Sequence, residues 1–322
     1  MNPAFSVVFL TTLSGAAQGL LIALFGVELG CRLGLVAASS APSPMFFVVG
    51  AALAVVLGGL GLLASFFHLG HPERAWRAIA MWRTSWLSRE CLALPVFLAC
   101  AFAFGVAHWL GSPWSLAIGA LGALASIALF VCTAMIYACI RFLQEWATPL
   151  TMANFMLLGC ASGFTLATTC AAWLAPSLVG ALAVCACVLT LGGAATRVAS
   201  LVRNARLRPK STVQSATGIK SSKLVQKSRG FTAGAFNLRE FFHGQTAGTL
   251  RNVKWAFLVA AFAVPFVLVA LVALGGGLAS VAASVWLLCA ACTIQYAGLV
   301  AERWFFFAEA RHPQNLYYQQ VA

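Results

Sequence analysis

Eight apolar runs, each long enough to cross a lipid bilayer as a helix, dominate this 322-residue chain. A spanning helix needs about 20 mainly apolar residues. Only helices and closed barrels satisfy their backbone hydrogen bonds within lipid, and runs this long exclude strands. The sequence therefore predicts an all-α integral membrane protein, a bundle of eight transmembrane helices forming one anchor domain over residues 1–322. The predicted spans are approximately Phe5–Leu35, Met45–His68, Cys91–Leu110, Pro113–Arg141, Pro149–Leu174, Ser177–Val202, Val253–Leu274 and Ala279–Ala308.

Composition supports this fold class and excludes others. Charged residues make up only 8% of the chain, against roughly a quarter in soluble proteins, which leaves too little polar surface for a water-facing globule. The net charge of +13 does not indicate nucleic-acid binding, because eleven of the twenty Lys and Arg residues lie between Arg203 and Lys254 and most others flank apolar runs. The eleven cysteines lie in or beside apolar runs, and we interpret them as small apolar side chains.

The loops alternate in character along the chain. The connections at 69–90, 142–148 and 203–252, with the C-terminal tail, carry almost all the charge, whereas the other connections are short and nearly uncharged. The positive-inside rule then predicts that the charged loops and both termini are cytoplasmic, in a bacterial inner membrane. The basic loop 204–250 is predicted to be partly flexible and to lie near anionic lipid or a partner.

The segment Ser65–Glu90, SFFHLGHPERAWRAIAMWRTSWLSRE, is the best candidate for a functional site. His68 ends the second predicted span, and Glu90 opens the third, with Ser88 as its predicted N-cap. Taken alone, His68 is explained as a polar helix end and Glu90 as a complement to the helix dipole. Together they suit quinol oxidation or quinone reduction, which needs hydrogen-bond partners for the ring oxygens and a group that exchanges protons.

Other polar residues complete the predicted site. Gln18 is polar in the middle of a span and should face protein rather than lipid. The tryptophans of the segment fit the interfacial depth, although an aromatic belt explains most of them. The predicted catalytic residues are His68 and Glu90, and the predicted quinone-binding residues are His68, Glu90, Gln18, Arg77, Arg83 and Trp86.

The histidines argue against a haem. A b-type haem needs axial ligands that face one another within the spans. His68 and His108 lie toward opposite faces, and the other histidines are in loops or the tail. We therefore expect no haem, no iron–sulfur cluster and no other metal site in this chain, and a partner subunit that exchanges the electrons.

The residues carry a family resemblance. The pattern His68-Leu69-Gly70-x-Pro72-x-Arg74-Ala75, followed by Ser85-x-Leu87-Ser88-x-Glu90, resembles the dimethyl-sulfoxide-reductase membrane-anchor (DmsC-type) family. The later motifs RFLQEWATPLTMANFMLLGCASGF and ERWFFFAEARHPQNLYYQ resemble a branch of it.

The resemblance implies a role. Such anchors hold a four-cluster iron–sulfur subunit and a molybdopterin catalytic subunit at the membrane, and exchange electrons with menaquinone or ubiquinone. In the family, the residues matching His68 and Glu90 are associated with quinol binding. The cytoplasmic charge asymmetry favours the sulfite-oxidising (SoeC-type) branch, and a periplasm-facing reductase of S- or N-oxides is the alternative. A transporter, which would show internal repeats and midplane polar sites, and a purely structural tether are the competing hypotheses.

Overall fold

The computed structural model describes residues 1–225, 227, 243–275 and 281–313. Over these residues the regular structure is helical, and eight helices are long and apolar enough to cross a membrane. This confirms the predicted fold class. The helices are α1 (Phe5–Arg32), α2 (Pro44–Phe66), α3 (Trp86–Trp109), α4 (Ser115–Ala138), α5 (Pro149–Leu174), α6 (Val179–Ala205), α7 (Ala247–Leu274) and α8 (Val281–Glu309).

Helix α1 is the centre of the bundle. It packs against α2, α4, α5 and α8, and most of its length is buried inside the protein. The closest approach is to α5, where a Cβ added at Gly163 would collide with the backbone of Gly19. Small residues at such crossings let transmembrane helices gain packing energy, because lipid offers no hydrophobic drive for helix association.

Helix α3 begins one turn earlier than the sequence predicted. Ser85, not Ser88, is the N-cap: its hydroxyl accepts a hydrogen bond from the backbone N–H of Ser88 at 3.4 Å. The prediction of a Ser88 cap was wrong because hydropathy marks only the lipid-crossing part of a helix, and Trp86–Glu90 is too polar to be counted. Glu90 consequently lies in the second turn of the helix.

The two ends of the bundle differ as the sequence predicted. The connections 67–85 and 139–148 and the described parts of 206–246 and 310–313 lie at one end, here called the charged face. The opposite end, here called the bare face, carries the connections 33–43, 110–114 and 175–178. The described part of the basic loop contains the short helix Val213–Thr217. Residues 226, 228–242 and 314–322, which include parts of the basic loop and of the C-terminal motif, lie outside the described residues.

Candidate functional site

Glu90 lies inside the bundle, close to the charged face. It belongs to the inward side of α3, together with the buried Leu94, Phe97 and Ala101, and is only 8% exposed. The hydroxyl of Thr133 in α4 donates a hydrogen bond to its Oε1 at 2.5 Å. A carboxyl group held at membrane depth by one hydroxyl is well placed to exchange protons with a bound molecule.

A groove of about 390 Å³ lies between α3 and α4, in the half of the bundle nearest the charged face. The outer residues of its wall are exposed at the surface of the bundle where lipid would be, for example Val96 at 54%. Trp82 and Arg89 stand at its charged-face end and the rest of the wall is apolar. The lining residues are Trp82, Arg89, Leu92, Ala93, Val96, Ala125, Ala128 and Cys132.

The Glu90–Thr133 pair does not line this groove, but each of its members follows a lining residue in sequence. Arg89 and Cys132 line the groove, and each immediately precedes one member of the pair in its helix. Successive residues of a helix are rotated by about 100°, so the pair lies on the inner side of the same two helices. The groove therefore has an apolar wall toward lipid, and the acid–hydroxyl pair is buried on the inner side of the two helices that form it.

Arg89 holds the loop that caps the groove. Its guanidinium donates hydrogen bonds to the carbonyl oxygens of Trp82 at 3.0 Å and Arg83 at 2.8 Å. The same group lies over the Trp86 ring, 4.2 Å from the centroid. One cation thus fastens the backbone at the end of the loop to the first turn of α3 and stacks on Trp86.

His68 lies just beyond the C-terminal end of α2, at the charged face, and is exposed. Partial desolvation lowers the pKa of its imidazole, which favours the neutral form that accepts a proton. Within the described residues no hydrogen bond joins His68 to Glu90, whose carboxylate binds Thr133 instead. The partnership of the two residues thus stays a prediction.

The other predicted quinone ligands are dispersed. Arg77 and Arg83 are exposed, each over a neighbouring tryptophan ring at 5.4 Å, and Trp86 stacks with Arg89 rather than lining the groove. Gln18 is buried and donates to the carbonyl of Ser14 at 2.9 Å.

Gln18 also differs from Glu90 in depth. At 1.5 Å per residue, Gln18 lies about 20 Å from the charged-face end of α1, and Glu90 only about 6 Å from that end of α3. The structure therefore brings neither Gln18 nor the two exposed arginines to the groove.

Sequence reasoning missed a buried charge cluster between α6 and α8. Arg197 is 1% exposed, and its Nε lies 2.6 Å from Glu302 Oε1 in an ion-pair contact. Arg303 Nε donates to the other oxygen of Glu302 at 2.6 Å, and Arg197 Nη1 lies 3.8 Å from Glu309. The sequence analysis gave Arg197 no role, although a cation inside an apolar run was the available signal.

A second missed cluster lies at the bare face. Glu28 accepts a hydrogen bond from Ser115 at 2.5 Å and pairs with His108 at 3.2 Å, so α1, α3 and α4 are tied together there. Arg32, one turn after Glu28, is exposed, and no ion pair joins the two in the described part of the chain. Arg32 can keep its charged group in water, whereas the carboxylate points inward and meets the partners on the neighbouring helices.

Among the described residues no group of three or more His, Cys or Glu side chains is arranged to hold a metal ion. The site contains an acid, hydroxyls, an imidazole and arginines, which bind and protonate oxygen atoms. These groups can exchange protons with a bound molecule.

Two comparisons with known proteins bear on this chain. A family model described as "DMSO reductase anchor subunit (DmsC)" matches residues 1–312. The chain is 51% identical over 335 residues to a sulfite dehydrogenase subunit of Allochromatium vinosum, with 100% of both chains covered. These matches confirm the resemblance that the motif around His68 and Glu90 predicted.

Proposed function

The chain belongs to the DMSO reductase anchor subunit (DmsC) family, and we propose from that premise that it is the quinone-reactive anchor of a three-subunit molybdopterin oxidoreductase. It exchanges electrons between the quinone pool and a four-cluster iron–sulfur subunit docked on the charged face. The loop 67–85, with its exposed arginines and tryptophans, forms part of that docking surface.

The observation that carries the proposal is the groove between α3 and α4. Its volume of about 390 Å³ falls within the range of about 300–1,000 Å³ found for ligand sites. It is apolar and faces the side from which a lipid-borne molecule arrives. An isoprenoid quinone would enter sideways, with its ring toward Trp82 and Arg89 and its tail toward lipid.

The chemistry at the groove follows from its neighbours. Reduction of a quinone consumes two electrons and two protons, and oxidation of the quinol releases them. The partner subunit supplies or accepts the electrons. Glu90 exchanges a proton with one ring oxygen, and Thr133 orients its carboxyl group. The neutral imidazole of His68 exchanges the other proton, on the side of the loop.

Sulfite is the substrate that we propose for the complex. The relative named as a sulfite dehydrogenase subunit is similar over its whole length, and the positive-inside rule favours a cytoplasmic charged face. Oxidation of sulfite with water to sulfate releases two electrons and two protons, which matches the demand of one quinone. The alternative, a periplasm-facing reductase anchor that oxidises menaquinol, is favoured by the description of the family model.

Substitution at the predicted pair tests the site. In the purified complex, Glu90→Gln and His68→Ala should stop reduction of a short-tailed quinone by sulfite, while leaving sulfite oxidation with a soluble electron acceptor unchanged. Glu28→Gln, which alters a buried acid at the opposite, bare face, is the control and should leave both activities unchanged. Full quinone activity in both site variants would contradict the assignment.

Sidedness has its own test. Reporter fusions after Ala322, and in the loop near Gly111 as the opposite-face control, should place the charged face in the cytoplasm. A periplasmic C-terminal fusion would instead support the reductase alternative.

A further inference from the structure

A second, smaller cavity lies where α1, α5 and α8 meet, in the half of the bundle nearest the charged face. Its volume is about 20 Å³, and one water molecule needs about 10–15 Å³ on this measure. No residue that lines the groove between α3 and α4 also lines this cavity. Its occupant is therefore independent of a quinone in the groove and goes beyond the proposed function.

The wall of this cavity carries four polar side chains that are shielded from solvent. Each is less than a tenth exposed, and they are Arg303 of α8, Thr11 and Thr12 of α1, and Ser162 of α5. Buried polar groups in proteins are nearly always hydrogen-bonded. The hydrogen bonds that these four side chains still lack therefore define what the cavity can hold.

Arg303 brings unused donors to the wall. Its Nε donates to Glu302 at 2.6 Å, but its Nη1 and Nη2 have no hydrogen-bond partner among the described residues. The guanidinium lies over the ring of Phe155, 4.2 Å from the centroid, and Phe155 also lines the cavity. A ring face attracts the positive charge but does not replace an acceptor oxygen for the N–H groups. The guanidinium therefore needs an acceptor in the cavity.

The three hydroxyl groups already act as donors elsewhere. Thr11, Thr12 and Ser162 each donate to a backbone carbonyl oxygen one turn earlier in the same helix, at 2.9, 2.9 and 3.0 Å. A hydroxyl has one hydrogen, so toward the cavity its oxygen can only accept. The occupant must consequently accept from Arg303 and donate to the hydroxyls. Water does both, whereas a halide ion has no hydrogen to donate.

The charges around Arg303 also favour a neutral occupant. Glu302 contacts both Arg303 and Arg197 at 2.6 Å, and Glu309 lies 3.8 Å from Arg197. Two arginines thus face two carboxylates in this cluster. An anion in the cavity would add a buried charge without a counter-charge, which costs free energy.

We propose that one water molecule binds in this cavity, accepts a hydrogen bond from the Arg303 guanidinium, and donates to a threonine of α1 and to Ser162 of α5. About three hydrogen bonds are usual for a buried water. The water supplies the acceptor that no described side chain gives to the Nη atoms of Arg303. It also links α1, the central helix, to α5 and α8 in the half of the bundle that holds the groove.

X-ray footprinting of the complex purified from the membrane tests whether the cavity holds water. A short X-ray pulse turns bound water into hydroxyl radicals, which oxidise adjacent side chains, and mass spectrometry locates the products. Phe155 and Leu158 line the cavity and should be oxidised although they are only 6% and 5% exposed. Phe97 and Leu20, fully buried in the apolar core, are controls of the same residue types and should stay unmodified. Equal labelling of the two pairs would overturn the proposal.

Gly15→Ala should fill the cavity without a steric clash. Gly15 lines it, and a Cβ added there would lie 3.6 Å from the Cα of Gly159 and 3.9 Å from the ring of Phe130, which is ordinary van der Waals contact. Gly192→Ala is the matched control, because its Cβ would approach only Leu157, at 3.8 Å, and Gly192 does not line the cavity. Both substitutions replace a glycine inside a helix and carry a similar gain in helix propensity.

The two variants should differ in labelling and in stability. In Gly15→Ala the oxidation of Phe155 and Leu158 should fall to the level of the core controls, whereas Gly192→Ala should label like wild type. The thermal midpoint of Gly15→Ala should lie below that of Gly192→Ala, because Arg303 loses its acceptor. Wild-type labelling in Gly15→Ala, or a midpoint at or above that of Gly192→Ala, would overturn the site.

Bromide distinguishes water from a small anion. Crystals of the complex grown with bromide in place of chloride should show no anomalous scattering peak beside Arg303. A bromide peak at that position would overturn the proposal of a neutral occupant, since it would identify the cavity as an anion site.

Discussion

The buried charge cluster between α6 and α8 predicts different losses of stability for two substitutions that each remove one charge, Arg197→Met and Glu302→Gln. Removing one partner of a buried ion pair costs about 3–5 kcal/mol, because the charge left behind has no compensation. Arg197→Met leaves Glu302 in contact with Arg303 at 2.6 Å and leaves Glu309 partly hydrated. Its cost should lie at the lower end, about 3 kcal/mol.

Glu302→Gln is expected to be worse. It leaves Arg197 and Arg303, at 1% and 4% exposure, with only the more distant carboxylate of Glu309 to balance them. Its cost should lie at the upper end, about 5 kcal/mol. One kcal/mol lowers the midpoint by about 2–4 °C for 150–250 residues and by less for a chain of 322, so the midpoint should fall by several degrees for Glu302→Gln and by less for Arg197→Met.

The assay is thermal unfolding of the chain in detergent, followed by circular dichroism at matched lipid content. Arg206→Met, an exposed position just beyond the end of α6, is the control and should lie close to wild type. The reasoning is refuted if Arg197→Met unfolds at or below the temperature of Glu302→Gln. It is equally refuted if both variants unfold like wild type, since the cluster would then carry no uncompensated charge.

Further expected outcomes follow from the groove and from the histidines. Ala128→Phe should fill the groove and raise the quinone KM at least about tenfold, whereas Val184→Phe on the exposed side of α6 should not, as quinone titrations of each complex will show. Because desolvation lowers the pKa of His68, its neutral form persists below the ordinary histidine pKa of about 6.5; quinol-linked activity should fall only at more acidic pH, and His68→Ala should remove that limb of the pH profile. His108→Ala should cost about 1–3 kcal/mol, because Glu28 loses one of its two buried partners, and unfolding curves will measure it. The purified chain should show no haem absorption band.

The spans were predictable because their cause is local. A run of about 20 apolar residues can satisfy its backbone in lipid only as a helix, and the boundaries of α5, for example, were predicted without error. The start of α3 was not, because the turn at Trp86–Glu90 lies outside the lipid-crossing part and is fixed by the Ser85 cap instead. A helix start of this kind can be predicted from sequence only by comparing the two candidate N-caps, Ser85 and Ser88.

The site was predictable in part. A carboxylate at the end of an apolar run is conspicuous in sequence, and Glu90 indeed lies buried beside a groove. Its partner Thr133 was not predictable, because one hydroxyl in an apolar helix looks like any other, and the pairing depends on the rotation of α4 against α3. Gln18 shows a related limit. Its polarity correctly predicted that the side chain faces protein, but its depth along α1 places it beside Ser14 and far from the groove.

The cluster at Arg197 shows that charged residues inside the bundle act differently from charged residues in the loops. Hydropathy averages a window, so an arginine among alanines, leucines and valines disappears into an apolar run. Burial then makes the partners of that same arginine matter, because at 1% exposure its charge is compensated by Glu302 and Glu309 and not by solvent. Charges in the loops set the orientation of the chain through their number, whereas charges between the helices act through their individual partners. A single cation inside a predicted span is therefore a reason to look for a carboxylate in another span, and in this chain that search leads from Arg197 in α6 to Glu302 and Glu309 in α8.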